Sequence, residues 1–316
     1  MRAVVFAYHN MGIVGLRALL FHGFEVPMVL SHEDDPKENR WFASVTDFCR
    51  ERGIPVVHPK DVNAAPWPER IRGLRPDLLF SFYYRSMLKE EVLGIPRLGA
   101  MNLHGSLLPK YRGRAPVNWV LVKGERETGV TLHFMTVKPD AGDIVGQVAV
   151  PIDFGDTALS LFGKMEGAAA RLLGDLLPRI AGGDIPRRPN EIARGSYFGG
   201  RKPEDGRIDW SRPAVEIYNL VRAVTRPYPG AFAELDGEKL TVWWAVPLAG
   251  DPGGGIPPGT IRVAGGRPAS CPSPRRAVVE TGAGGLQLEE IEWRSRTAKG
   301  AEIADLLAGA VDGRLS

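Results

Sequence analysis

The sequence predicts an α/β chain in two parts: a parallel sheet covered by helices on both faces, then a small barrel-like β domain. Three observations predict it. Short apolar runs alternate with helical patterns through the first 190 residues. A long helical run over 157–180 then stops at Gly182, Gly183, Asp184 and Pro186. Beyond residue 205, short β-type runs alternate with Gly/Pro turns.

Taken in order, 4–7 reads as a buried strand, Tyr8 to Gly12 as a turn, and Leu16, Leu19 and Leu20 as the apolar stripe of a helix. The theme recurs as strand 26–30 with helix 41–52, and as strand 77–82 with a short helix at 89–93. A strand at 99–101, a helix at 117–122 and strands at 129–134 and 144–152 complete the first part. Residues 189–203, with Gly195, Gly199 and Gly200 and no periodicity, read as a linker. Residues 213–224 read as a helix, and 240–245, 259–263, 277–280 and 286–293 as strands, with 251–274 a Gly/Pro-rich loop region. The expected boundaries are 1–190, a linker at 191–204, and 205–316.

With 40 Lys and Arg against 37 Asp and Glu, the net charge of +3 does not point to a nucleic-acid or membrane-surface protein. Two cysteines, Cys49 and Cys271, cannot build a disulfide framework or a thiolate metal cluster, so a reducing cytoplasm is expected. The six histidines show no metal-ligand spacing, and no metal is expected. No apolar run reaches the ~20 residues that span a bilayer, and the apolar start is too short for a signal peptide, so a soluble protein without a membrane partner is expected.

In an open α/β sheet, ligands bind beyond the carboxyl ends of the strands, which directs attention to the residues that follow each strand. These are Tyr8, His9 and Asn10, then Tyr83, Tyr84 and Arg85, then Asn102 and His104. Gly12 and Gly15 make an incomplete dinucleotide fingerprint, better explained by close helix–strand packing. Asn102 and His104 stand two apart in an extended segment and so share a face. An amide can donate to a developing oxyanion, and an imidazole can exchange a proton near neutral pH. Residues 105–116 form a basic, glycine-punctuated loop suited to an anionic ligand. The turn 138–143 carries Asp140 and Asp143, and Asp140 beside His104 would favour the imidazolium.

Residues 102–113, Asn-Leu-His-Gly-Ser-Leu-Leu-Pro-Lys-Tyr-Arg-Gly, together with Asp140-Ala141-Gly142-Asp143, resemble the 10-formyltetrahydrofolate-dependent formyltransferases. The resemblance covers nearly the whole chain. Through 4–9, 81–85 and 113–122 it is closest to the branch that formylates UDP-4-amino-4-deoxy-L-arabinose, a branch tied to lipid A modification and polymyxin resistance. It implies a Rossmann-like domain followed by an OB-like barrel, with Asn102, His104 and Asp140 as the catalytic trio. It also implies folate contacts from Ser86, Met87, Leu88 and Arg114 and from Thr136, Val137, Lys138, Pro139 and Asp140. Tyr8, Arg85, Arg201 and Asn219 are the expected contacts of the nucleotide sugar, chosen for their chemistry and rough position. Bifunctional members of that branch continue into a dehydrogenase half that this chain lacks, so the same chain is not expected to supply the sugar.

Two alternatives stay open. Methionyl-tRNA formyltransferases share the trio, but their basic insertion after the second strand is here 31–40, short and acidic in its first half. Residues 205–316 carry 13 Lys and Arg against 14 Asp and Glu, so nucleic acid is not the expected partner. The other alternative is a nucleotide-sugar-binding protein without turnover.

Overall fold

A computed structural model describes residues 1–35, 39–248, 255–264, 275–310 and 313–316. Cys271 and parts of the 31–40 and 251–274 segments lie outside the described residues. The chain divides into two compact units. One comprises 1–116, 126–152 and 161–199, and the other 117–125, 153–160 and 200–316.

In chain order the elements are β1 (Ala3–Ala7), α1 (His9–Phe21), β2 (Val29–Leu30), α2 (Val45–Glu51), β3 (Val56–Val57), α3 (Trp67–Gly73) and β4 (Leu78–Phe82). Then come α4 (Glu90–Leu93), β5 (Ala100–His104), β6 (Arg112–Gly113), α5 (Pro116–Val122), β7 (Glu127–Phe134), β8 (Ile144–Pro151), α6 (Ala158–Ala181) and β9 (Tyr197–Phe198). The first unit is built on a seven-stranded sheet in the order β3-β2-β1-β4-β5-β7-β8. Every residue of β1 and β4 is buried, because helices cover both faces of these strands. On one face Val4, Phe6 and Leu79 pack with Ile71 of α3 and Val92 of α4. On the other, Gly12 and Gly15 of α1 approach β1 and β4 so closely that a Cβ on Gly15 would sit 2.3 Å from the Phe82 ring. Close packing therefore accounts for the two glycines.

Several sequence expectations are corrected. The sheet is not all parallel: β5 pairs antiparallel with β7, and β7 with β8. For β7 and β8 the cause is the short connection 135–143, which can join only a hairpin, since a parallel pair needs a crossover. The second strand shrinks from 26–30 to Val29–Leu30, as Pro27 has no N–H for a ladder. The helix expected over 41–52 starts at Val45, because the Ser44 hydroxyl accepts from the Asp47 amide at 3.1 Å and caps it. Asn102 and His104 do not follow a strand but lie within β5. Within the segment read as linker, Ile192–Arg194 forms a 3₁₀ turn and β9 pairs in parallel with β6.

The second unit contains α7 (Ala214–Val224), β10 (Ala231–Leu235), β11 (Glu238–Leu248), β12 (Ile261–Ala264), β13 (Arg276–Glu280), β14 (Gly285–Trp293), β15 (Arg296–Lys299) and α8 (Ala301–Leu306). Its sheet runs β10-β11-β14-β13-β12, with β15 also on β14. Irregular register near Trp244 bends β11. The last residues join the two ends of this sheet. Leu315 N donates to Gly259 O at 2.9 Å and Ile261 N to Gly313 O at 3.1 Å, while Ser316 and Glu234 exchange both backbone bonds at 2.9 and 3.1 Å. The edges are thereby paired in the manner of a small barrel. Among the described residues, no helix is long and apolar enough to cross a membrane.

Candidate active site

The candidate site is assembled where β5 and β7 pair. Their register sets Asn102 opposite His133 and His104 opposite Thr131. Asn102 Nδ2 lies 3.2 Å from His133 Nε2, and His133 Nδ1 lies 2.8 Å from the carbonyl of Phe134. A carbonyl only accepts, so His133 Nδ1 carries a hydrogen; Nε2 accepts from the Asn102 amide when the ring is neutral and donates to Asp140 when the ring is protonated. The same reasoning applies to His104, whose Nε2 lies 2.9 Å from the carbonyl of Tyr111 and therefore carries a hydrogen. Its Nδ1 is left facing Asp140 Oδ1 at 3.5 Å, and His133 Nε2 is also 3.5 Å from that oxygen.

Asp140 arrives on the β7–β8 connection with φ of 48°, in the left-handed region that costs a non-glycine residue roughly 1–2 kcal/mol. Tertiary bonds hold it there. Gly113 N donates to Asp140 Oδ2 at 2.8 Å, and Asn190 Nδ2 donates to the Asp140 carbonyl at 3.0 Å. The next residue but one must be glycine, because a Cβ on Gly142 would lie 2.0 Å from the Phe134 carbonyl oxygen. Burial alone would push the Asp140 carboxyl up. The charges of His104 and His133, a bond from the His133 ring and the Gly113 amide outweigh burial and hold it well below the usual carboxylate range.

The loop after β5 is bonded from within. The Ser106 hydroxyl donates to Lys110 O at 2.7 Å, and Thr131 Oγ1 donates to Ser106 O at 2.6 Å. Gln147 Nε2 donates to Leu108 O at 2.8 Å. The basic loop expected to serve an anion is thus also the frame that presents Tyr111 O to His104 and Gly113 N to Asp140.

The structure brings Asn102, His104 and Asp140 together and adds His133, which sequence reasoning passed over. Its signal was present: Thr131-Leu132-His133 repeats the polar alternation of Asn102-Leu103-His104 in a strand otherwise apolar from Val130 to Phe134. Tyr8 and Arg85, at the carboxyl ends of adjacent strands β1 and β4, also meet, with the guanidinium 4.5 Å from the Tyr8 ring centre. His32 joins them, edge-on to Tyr8 and accepting from the Arg85 amide at 3.0 Å. Of the expected folate contacts, Ser86, Met87, Arg114, Thr136, Val137 and Lys138 are exposed, Pro139 is half-buried, and Leu88 sits in the apolar core with Val92. A groove of about 440 Å³ beside the turn is lined by Leu98, Phe134, Thr136 and Ala141 among others, but not by the trio.

Arg201 and Asn219 belong to the second unit. Arg201 is half-buried, 4.6 Å from the Trp119 ring centre, and donates to the Asp205 carbonyl at 2.7 Å. Asn219 is buried and accepts from Arg222 Nε at 2.9 Å, which ties its side chain into the packing of α7. Among the described residues, no group of three His, Cys, Asp or Glu is placed to hold a metal ion.

An amide, two imidazoles and a carboxylate meet on an open α/β sheet, and among the described residues no serine or cysteine is hydrogen-bonded to either ring, an arrangement chemically suited to proton transfer and oxyanion stabilisation. The family follows from comparison. Residues 22–177 match the model of the formyl transferase family and 201–309 that of the formyl transferase C-terminal domain, and the chain belongs to this family of enzymes.

Solved structures agree in fold. WlaRD, a sugar 3N-formyl transferase solved in the presence of dTDP and 5-N-formyl-THF, is 18% identical with a TM-score of 0.67, covering 94% of this chain and 98% of its own. The N-formyltransferase from Helicobacter canadensis in complex with folinic acid and dTDP-3-aminofucose is 19% identical with a TM-score of 0.66, covering 91% and 98%. HypX from Aquifex aeolicus with tetrahydrofolic acid is 19% identical with a TM-score of 0.58, covering 98% of this chain but 48% of HypX.

Proposed function

We propose that the protein transfers the formyl group of 10-formyltetrahydrofolate to the amine of a nucleotide-linked amino sugar. The observation that carries this reading is the convergence of Asn102, His133, His104 and Asp140 within hydrogen-bonding or ion-pairing distances in a member of the formyl transferase family. The reaction forms a bond from the sugar nitrogen to the formyl carbon and breaks the bond from that carbon to N10 of the folate. The amine gives up one proton and N10 takes one, so no enzyme nucleophile is needed.

In this reading the Asn102 amide, anchored by His133, donates to the formyl oxygen as it gains negative charge. His104 shares that stabilisation and exchanges the proton, while the ionised Asp140, 3.5 Å from its Nδ1, orients the ring. The folate lies along Ser86 to Leu88, Arg114 and Thr136 to Asp140, and the nucleotide sugar uses Tyr8 and Arg85, which meet at the ends of β1 and β4. UDP-4-amino-4-deoxy-L-arabinose is the proposed acceptor on the sequence resemblance; the dTDP-sugar ligand of one similar structure makes thymidine-linked amino sugars the competing choice.

The test measures tetrahydrofolate release and acceptor mass with 10-formyltetrahydrofolate and, in separate arms, UDP-4-amino-4-deoxy-L-arabinose, dTDP-linked 3- and 4-amino sugars, and initiator methionyl-tRNA. Formylation of the UDP sugar is expected. Preference for a dTDP sugar replaces the acceptor, formylation of the tRNA alone replaces the acceptor class, and no transfer to any amine rejects the function.

A further inference from the structure

The segment after α6 turns back across the first unit and lies against both stretches of backbone that hold the candidate pair. Arg188 exchanges backbone hydrogen bonds with Ile144, at the start of β8, at 2.8 and 3.0 Å. Asn190 is only 9% exposed, and its Nδ2 donates to the carbonyls of Asp140 at 3.0 Å and Gly142 at 3.2 Å. Further along, Ser196 Oγ accepts from the Tyr111 amide at 2.9 Å and Ser196 O from the Arg112 amide at 3.0 Å. The Phe198 ring then stacks on Tyr111 with centroids 5.1 Å apart. Tyr111 O is the partner of His104 Nε2, and Gly113 N that of Asp140 Oδ2. The strap is therefore one residue or less removed from the bonds on both sides of the His104–Asp140 contact.

We propose that Asn190 and Ser196 are positioning residues that set the Asp140 carboxylate and the His104 imidazole relative to each other. The inference rests on the formyl-transfer reading of His104 and Asp140. Asn190 faces two carbonyls, which accept only, with the one end of its amide that has two hydrogens. Its Oδ1 is buried and has no hydrogen-bond partner among the described residues, so the donor end is the part in use. This pins a turn whose Asp140 stands at φ of 48°, a conformation that persists only where surrounding bonds over-determine it. Ser196 does the equivalent for Tyr111, also at a positive φ of 56°.

Asn190→Leu keeps the branched four-atom outline and removes the donors, Asn190→Asp puts lone pairs against the two carbonyls, and Asn190→Gln restores an amide on a longer arm. We expect Asn190→Leu to lower kcat by about 10- to 10²-fold, the cost of a small misplacement, with KM for both substrates little changed. In the same variant the Asp140 Cγ resonance, followed by NMR against pH without substrate, should titrate higher than in the wild type. Asn190→Gln should recover part of both, Asn190→Asp should be the most severe, and Ser196→Ala should lower kcat less while shifting the His104 ring signals. Wild-type kcat and Asp140 titration in Asn190→Leu overturn the proposal. So does a loss of activity that follows loss of thermal stability while the Asp140 titration stays put. Failure of the wild-type protein to formylate any amine rejects the function itself, and the NMR arm still reads the strap.

Discussion

Two strand pairs of one sheet are both largely buried and entirely different in chemistry. In β1 and β4, Ser81 is the only polar residue, and the pair is packed between helices on both faces. In β5 and β7, Asn102, His104, Thr128, Thr131 and His133 interrupt the apolar run, with Thr131, His133 and His104 at 0%, 1% and 6% exposure. The difference teaches that burial does not separate scaffold from site; satisfaction does. Thr131 Oγ1 donates to Ser106 O and accepts from the Leu108 amide, and each imidazole has a backbone carbonyl. Buried polar groups are tolerated where such partners exist. What remains are one nitrogen of each ring and one carboxylate oxygen, Asp140 Oδ1, turned toward one another rather than toward the backbone.

That contrast can be broken by experiment. Phe80→Ala, in the apolar pair, should cost about 3–5 kcal/mol of unfolding free energy while leaving turnover per folded molecule unchanged. A large fall in kcat with little loss of stability would show that β4 is not mere scaffold. Asn102→Ala should do the opposite, lowering kcat by roughly 10²–10³-fold with the denaturant midpoint nearly unmoved. Near-full turnover removes Asn102 from the mechanism.

His133→Phe strips Asn102 and Asp140 of a shared partner. It should lower kcat by about 10-fold or more, on the ~1.5–3 kcal/mol of a hydrogen bond to a charged group. If His133 only fills space, the ring of Phe suffices and activity persists.

The smallest effect is on pH dependence. Asp140 has a depressed folded-state pKa, so its ionised form adds stability fully present above the ordinary carboxylate value of ~3.9 and lost as pH falls below it. The stability gap between wild type and Asp140→Asn, read from urea midpoints, should therefore shrink between neutral pH and pH ~3. A gap independent of pH refutes the linkage.

Much of this was legible in the residues. The spacing of Asn102 and His104 put both on one face of an extended segment, and the helical run 157–180 is α6 to within a residue. Leu161, Met165, Ala168, Leu172 and Leu176 make its buried stripe, which any helical period reveals. The antiparallel turn of the sheet was missed because an apolar run does not declare its direction. His133 was missed because a single histidine in such a run has no neighbour in sequence to give it meaning. Asn190 stood at the edge of a stretch without periodicity, where nothing local distinguishes a surface loop from a strap.

Local chemistry therefore determined the kinds of groups available and the faces they occupy, since side-chain alternation and helical period are properties of neighbouring residues. Tertiary structure alone decided that Asn102 meets His133 and that Asp140 reaches both histidines. Those meetings depend on the register of strands 31 residues apart at Asn102 and His133, and on an aspartate whose backbone carbonyl is held by an amide 50 residues further along. Register over such separations is set by the packing of the whole unit, not by any one segment.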